Sequence, residues 1–376
     1  MDLALTPDQK TFASTTRSFL DKNNPVGTVR DLPDAPEAFD RTWWGKGAEL
    51  GWTAMLVPEE LGGGSVSGEG VRDLAIIAEE HGRVVAPGAL LPVSIVLAGL
   101  VEAARDGSDH TSEIEGLVAG ELLATWAVYE PGAGWAPGAP ATTARAEGDT
   151  FVLDGIKDRV EMGDQADLFL VTASTPEGVT QFLVPSDAPG VTVTPEWTLD
   201  LSRRFAEVRF EGVNVLASAV VGQVGEATPL IERQLQVALV LQVAEICGGL
   251  EQVFAFTTQW AFDRYSFGRP LASYQALKHR FADMKMWIEA CQATSGEAAR
   301  AVQDRSDDAA ELVSVAKSYV ASYAVKIIQD CVQMHGGLGV TWEHDLHLYL
   351  RRATVDRALY GTPEDHRRRI ADFMKL

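Results

Sequence analysis

Apolar side chains in the first third of the chain recur at three- and four-residue spacing, the period of an amphipathic helix. Phe12, Thr16, Phe19 and Leu20 follow a start signal at Thr6-Pro7-Asp8. Threonine suits the N-cap, proline the first turn, and aspartate the positive end of the helix. EAFDRTWWGKGAELGW (37–52) and GEGVRDLAIIAEEHG (68–82) repeat the pattern, each punctuated by glycine near its end. From about residue 123 the pattern turns strand-like. ATTARAEGDTFVLDGIK places Gly148-Asp149 between two strand-like runs, a hairpin signal. DLFLVTAS, TQFLVP, GVTVTP and FAEVRFEGVNV follow, divided by Pro, Gly and Asp. After Val221 the helical period returns over 225–263, 270–303, 307–335, 342–360 and 363–375, and the first four runs suit a bundle. The predicted domains are an all-α segment 1–122, a β segment 123–221 and a helical bundle 222–376. Without βαβ alternation this is an α+β architecture, not a doubly wound sheet.

A chain of 376 residues, 46% hydrophobic and 23% charged, can bury a large core. Its net charge of −21 argues against nucleic acid or an anionic membrane as the main partner, since both need a basic face. Arginine nevertheless crowds the C-terminus at Arg351, Arg352, Arg357, Arg367, Arg368 and Arg369. The plain reading of that cluster is a solvated helix face; the alternative is an anion or interface role. The start, MDLALTPDQK, lacks the basic-then-apolar pattern of a signal peptide. VALVLQVAEICGGL (237–250) is too short for a membrane span and carries Gln242 and Glu245. Cys247, Cys291 and Cys331 lie far apart in helical patterns, with no CxxC. They read as reduced core residues of a cytoplasmic protein, and no structural metal is expected.

Residues 128–135, VYEPGAGW, form a glycine-rich turn leaving a strand-like run. Such a turn brings backbone N–H groups close to a ligand, but an indole at Trp135 would occupy the same space. Four more segments stand in order with it: PEELGGG (58–64), GDTFVLDGIK (148–157), RYSFGRPLASYQALKHRFADM (264–284) and QMHGGLGVTWEHDLHLYLRRA (333–353). Together they make the chain resemble the acyl-CoA dehydrogenase family over essentially its full length. The resemblance implies an N-terminal helical domain, a middle β-barrel or sandwich domain and a C-terminal four-helix bundle. It also implies FAD and an acyl-CoA thioester whose Cα–Cβ bond is oxidised. In this family a carboxylate takes the α proton, the flavin takes the β hydride, and each flavin lies between two chains.

That sharing splits the motifs in two. The nucleotide half keeps its pattern. Arg264 stands one turn before Phe267 and Gly268, and a guanidinium suits a pyrophosphate. Gln333, Gly336 and Gly337 add a side-chain amide and bare backbone. By resemblance, these residues reach the ADP part of a flavin seated mainly on a neighbouring chain. The flavin-ring half departs from the pattern. Relatives begin the 129–135 turn with threonine and end it with serine; here the ends are Tyr129 and Trp135. Counted without gaps from Gly155, the family's tryptophan and hydroxyl positions fall on Arg159 and Glu161. A carboxylate at the polar edge of a flavin would oppose its reduction to the anion. The turn is therefore expected to be a plugged cofactor loop.

The family's catalytic carboxylate has two known places, and here they hold Tyr360, in RALYGT, and Ala238, followed by Leu239. Neither can abstract a proton. Glu245 is the candidate substitute, because burial in an apolar helix raises a carboxyl pKa towards the range that a base needs. It stands two turns from Ala238, about 10 Å along the axis, whereas a base must come within about 3 Å of its proton. A buried structural carboxylate paired with Arg or Lys is the competing reading. His344 and His347 read as helix-packing polar residues.

Three hypotheses follow. The first is a flavin-supporting, non-catalytic subunit similar to one chain of the actinobacterial α2β2 acyl-CoA dehydrogenases of steroid side chains. Its expected partners are a catalytic acyl-CoA dehydrogenase chain, the acyl-CoA substrate and electron-transfer flavoprotein as acceptor. The second is a self-sufficient homotetrameric enzyme using Glu245. The third is a flavin-free structural paralogue.

Overall fold

The computed structural model describes residues 5–34 and 39–376. Glu37 and Ala38, the expected start of the second helix, lie outside the described residues, as do the first four of the N-terminal segment. The first helix, α1 (Pro7–Asn23), begins where its signal predicts. Thr6 Oγ1 accepts from the Gln9 N–H at 3.2 Å and Gln9 Oε1 accepts from the Thr6 N–H at 3.1 Å, a reciprocal cap. The second, α2 (Arg41–Glu49), is capped by Asp40, which accepts from the Thr42 and Trp43 N–H groups. Next come α3 (Gly70–Arg83), α4 (Leu90–Arg105) and α5 (Thr111–Val118). Periodicity gives no sign of α4, for a physical reason: 13 of its 16 residues are buried, so it has no polar face.

The middle of the chain is β1 (Ala124–Ala127), β2 (Thr143–Glu147), β3 (Thr150–Glu161), β4 (Leu168–Thr175), β5 (Gly178–Pro185), β6 (Val191–Glu196), β7 (Phe205–Leu216) and β8 (Val220–Val221). The expected hairpin joins β2 to β3, with Gly148 at φ +62° in its turn. All eight strands belong to one sheet in the order β6-β7-β3-β2-β4-β5-β8, with β1 parallel to β4. They wrap a core of Phe151, Phe169, Phe182, Phe210 and aliphatic neighbours. The β3–β7 register shifts between Lys157 and Val160, and this bulge re-aims the side chains at the end of β3.

The chain then forms α6 (Thr228–Asp263), a small hairpin of β9 (Tyr265–Ser266) and β10 (Arg269–Pro270), α7 (Gln275–Gln303), α8 (Ala309–His335), α9 (Leu346–Ala358) and α10 (Pro363–Phe373). The hairpin and a 3-10 turn delay α7 beyond the expected 270, and α9 likewise starts later than 342. The apolar run 237–250 is part of a 36-residue helix, long and apolar enough by composition to cross a membrane. Its length is therefore no obstacle; instead, 83% of its most apolar window is buried inside the protein. Helix α6 crosses α3 at very close range. A Cβ on Gly82 would lie 1.8 Å from the Glu245 carbonyl, and one on Gly248 equally close to that of Glu79. Two glycines thus let the backbones touch and fix where Glu245 stands.

Candidate functional site

The turn after β1 is anchored from beneath. The Glu130 carboxylate accepts from the Ala141 and Thr142 N–H groups at 2.6 and 2.8 Å and from the buried Lys157 ammonium at 2.7 Å. Burial opposes its charge, but Lys157 and the two N–H donors prevail and hold the carboxyl down to about 2. Above this anchor Gly132 and Gly134 are open, with no atom within 4 Å of an added Cβ. The following residue closes the space. The Trp135 ring packs on Tyr129 at 5.2 Å, on Tyr360 at 6.1 Å and on Trp126 at 6.2 Å between centroids. The Tyr360 N–H donates to the Tyr129 hydroxyl. Gly361, at φ +90°, passes so near that its Cβ would meet the Trp135 ring at 3.2 Å. Burial pushes both phenols up, so neither ionises near neutral pH.

Ala238 and Leu239 are fully buried in α6. Glu245, two turns on, accepts from two guanidiniums, Arg203 and Arg352. Arg203 also donates to Asp356 at 2.7 Å and faces Glu161 at 3.4 Å. Arg352 also donates to Asp200, Ser202 and, at 3.0 Å, the Ala86 carbonyl. The Lys317 ammonium, fully buried, donates to Gln242 and to the Asp356 and Leu359 carbonyls. What remains between the 86–91 segment, Glu161, Arg203, Leu241 and Glu245 is a void of about 20 Å³. That is room for about one water.

Two expectations change here. Arg352 is not part of a solvated face, since Glu245 and Asp200 hold it in the core. Its neighbours do pair at or near the surface, Arg357 with Glu364, Arg368 with Asp365 and Arg369 with Glu232. Glu161 is not a bare charge at an open edge either. Beyond the bulge its side chain is buried against Arg203, and burial, partly offset by that guanidinium, raises its pKa. Arg159, at φ +48°, instead lies over the Tyr129 ring at 4.5 Å.

The second motif group sits elsewhere and is open. Arg264 follows α6 directly, exposed, its guanidinium 5.8 Å from the Trp260 ring, with no ion pair among the described residues. Trp260 donates to the Met334 carbonyl at 3.3 Å and stacks on His335 at 5.3 Å, which brings QMHGGLG to the same end of the bundle. His344 packs on His335, and His347 stacks on Trp342, so both pack as polar members of that corner. Phe267 is 96% exposed, and Gln333 is exposed as well. Added Cβ atoms on Gly268, Gly336 and Gly337 would meet nothing within 4 Å.

Sequence models of the N-terminal, middle and C-terminal domains of acyl-CoA dehydrogenase match residues 6–112, 125–213 and 228–375. The acyl-CoA dehydrogenase IpdE2 of Mycobacterium tuberculosis is 30% identical, covering 96% of each chain. This chain belongs to the acyl-CoA dehydrogenase family. Among solved structures, the ChsE4-ChsE5 complex of Mycobacterium tuberculosis superposes with a TM-score of 0.88 at 27% identity, over 100% of this chain and 99% of that one. The Tcur3481-Tcur3483 steroid ACAD gives 0.87 at 26% identity, over 98% and 97%.

Acyl-CoA dehydrogenases bind FAD, so the two halves can be tested for fit. The nucleotide half fits: a free guanidinium, an exposed amide and three unobstructed glycines can meet a pyrophosphate. The ring half does not, because Trp135, Tyr129 and Tyr360 pack into the turn where the family resemblance puts the isoalloxazine. Periodicity and motifs gave no sign of Arg203, Asp200, Asp356 or Lys317. Apart from the Ser202 contact of Asp200, their partners lie 39 to 153 residues away in sequence, so no local pattern marks the cluster.

Proposed function

We propose that this chain is the flavin-supporting, catalytically silent subunit of a heteromeric acyl-CoA dehydrogenase. A partner chain of the same family, in an α2β2 assembly, supplies the carboxylate base and the flavin seat. The observation that carries this reading is the packing of Trp135 on Tyr129 and Tyr360, which fills the turn and puts a phenol where the family has a base. Bound FAD would supply hydride acceptance from the acyl-CoA. In this chain Arg264, Phe267, Gly268, Gln333, Gly336 and Gly337 would hold its ADP part. The substrate class is a CoA thioester, with a steroid side chain as the acyl group. Support for that class is the likeness to the Tcur3481-Tcur3483 steroid ACAD. Electron-transfer flavoprotein is the proposed acceptor and the cytoplasm the proposed site.

A self-sufficient enzyme using Glu245 is disfavoured because two guanidiniums occupy that carboxylate and only about 20 Å³ remains beside it. The test is acyl-CoA dehydrogenation by the chain alone, and by the chain co-purified with a family partner that carries the base. The expected outcome is turnover only in the mixed complex. Turnover by this chain alone refutes the proposal.

A further inference from the structure

A pocket of about 350 Å³ opens where the end of α4, the start of α6 and the α7–α8 turn meet. Arg105, Arg233 and Arg305 line it, with Glu102 and Glu59 the carboxylates among its walls. In a chain of net charge −21 this is a local reversal of sign. Part of it has a structural explanation. Arg305 grips both Glu102 oxygens at 3.0 and 2.5 Å, tying the α7–α8 turn to α4, and Arg105 approaches the same carboxylate at 3.8 Å.

Arg233 has no such explanation. Among the described residues its hydrogen-bond acceptor is the Val302 carbonyl at 2.9 Å, so most of its five N–H donors are unused. No carboxylate lies within ion-pair distance of it among the described residues. Burial, then the Arg305 charge, pull its pKa down to about 10; Glu102 offsets part of this, and Arg105 adds a smaller push downward. A cation placed there is costly unless an anion joins it. Gln303, also in the wall, accepts from the Val71 N–H at 2.9 Å, and its own amide donors find no acceptor among the described residues. Gln234, one residue along α6, turns instead to the middle sheet and meets Gln181 at 2.8 Å.

We propose that this pocket binds a phosphate-bearing small molecule, its phosphate held by Arg233 and Gln303 within the field of Arg105 and Arg305. Three guanidiniums and an amide offer more donors than Glu102, the carboxylate bonded among them, can accept. A phosphate monoester brings three acceptor oxygens and nearly two charges. The volume exceeds that of a lone phosphate and lies in the range of small-molecule sites.

The experiment is thermal unfolding of the full chain at fixed ionic strength, titrated with inorganic phosphate, with acetate and chloride as comparison anions. Phosphate should raise Tm saturably and acetate should not. Arg233→Gln should need at least tenfold more phosphate for the same rise, and Arg233→Lys, which keeps charge without the fork, an intermediate amount. Arg145→Gln, at an exposed pair with Glu147, should behave as the wild type. In phosphate-free buffer Arg233→Gln should not lower Tm, as loss of a purely structural arginine would. No saturable response, an equal response to acetate, or an unchanged midpoint in Arg233→Gln overturns the proposal.

Discussion

The two halves of the cofactor region differ in how their polar groups are satisfied. Around Glu245 nearly every charge is spent inside the protein: Arg203 and Arg352 each bond two carboxylates. Around Arg264 nothing is spent: the guanidinium, Gln333 and three glycines face outward. A site that has filled itself with its own side chains has no capacity left for a ligand. A site that leaves donors exposed at a helix end retains it. On the proposed reading, a chain built this way completes a neighbour's cofactor site and has none of its own.

The comparison is broken most severely by opening the closed half. Glu245→Gln leaves Arg203 and Arg352 sharing a buried neutral amide, and removal of one partner of a buried pair costs about 3–5 kcal/mol. Chemical denaturation should show a loss of that size, while the mixed complex, if folded, keeps most of its turnover. A thousandfold fall in kcat with little loss of stability would instead make Glu245 the base, since general-base catalysis contributes about 10²–10⁴-fold.

A second lever on the closed half is pH. His81 lines the residual void, its Nδ1 bonded to the Ile77 carbonyl and its Nε2 without a partner. Burial lowers its pKa to about 4. Between that value and about 6.5 the unfolded ring holds a proton that the folded ring does not. The contribution is therefore complete above pH 6.5 and lost as pH falls towards 4, amounting to about 3 kcal/mol. Denaturation midpoints at stepped pH should fall over this window, and less steeply in His81→Gln. An identical slope in the variant would assign the pH dependence elsewhere.

The open half is tested by Arg264→Ala. Loss of one charge-assisted contact of about 1.5–3 kcal/mol should weaken FAD in the mixed complex about ten- to a hundredfold. Flavin retention during dialysis reads this directly, and unchanged retention would place Arg264 outside the site. Stability should hardly move, because this arginine makes no ion pair among the described residues.

The open half was also the half that could be read from sequence. RYSFG and QMHGGLG are contiguous, so the residues proposed to act together are neighbours in the chain, and only their meeting through Trp260 needed the fold. The β hairpin at Gly148 and the cap at Thr6 were legible for the same reason. The closed half was legible only as absences, Ala238 and Tyr360 where a base would stand. What fills it comes from far apart: Arg203 precedes β7, Arg352 sits in α9, and Glu245 is held between them. Arg352 was hidden among surface arginines of the same composition. The burial of Glu161 against Arg203 was not legible either, because a count along the chain does not show the bulge that precedes it. Helix α4 was missed because burial on all sides removes the periodicity by which helices are found.

The central claim, that this chain lends half a cofactor site and owns none, is tested most directly by the flavin content of the full chain purified alone. The account predicts flavin absorbance far below one FAD per chain, rising once a base-carrying family partner is added. A yellow protein with close to one FAD per chain and no partner present would contradict it.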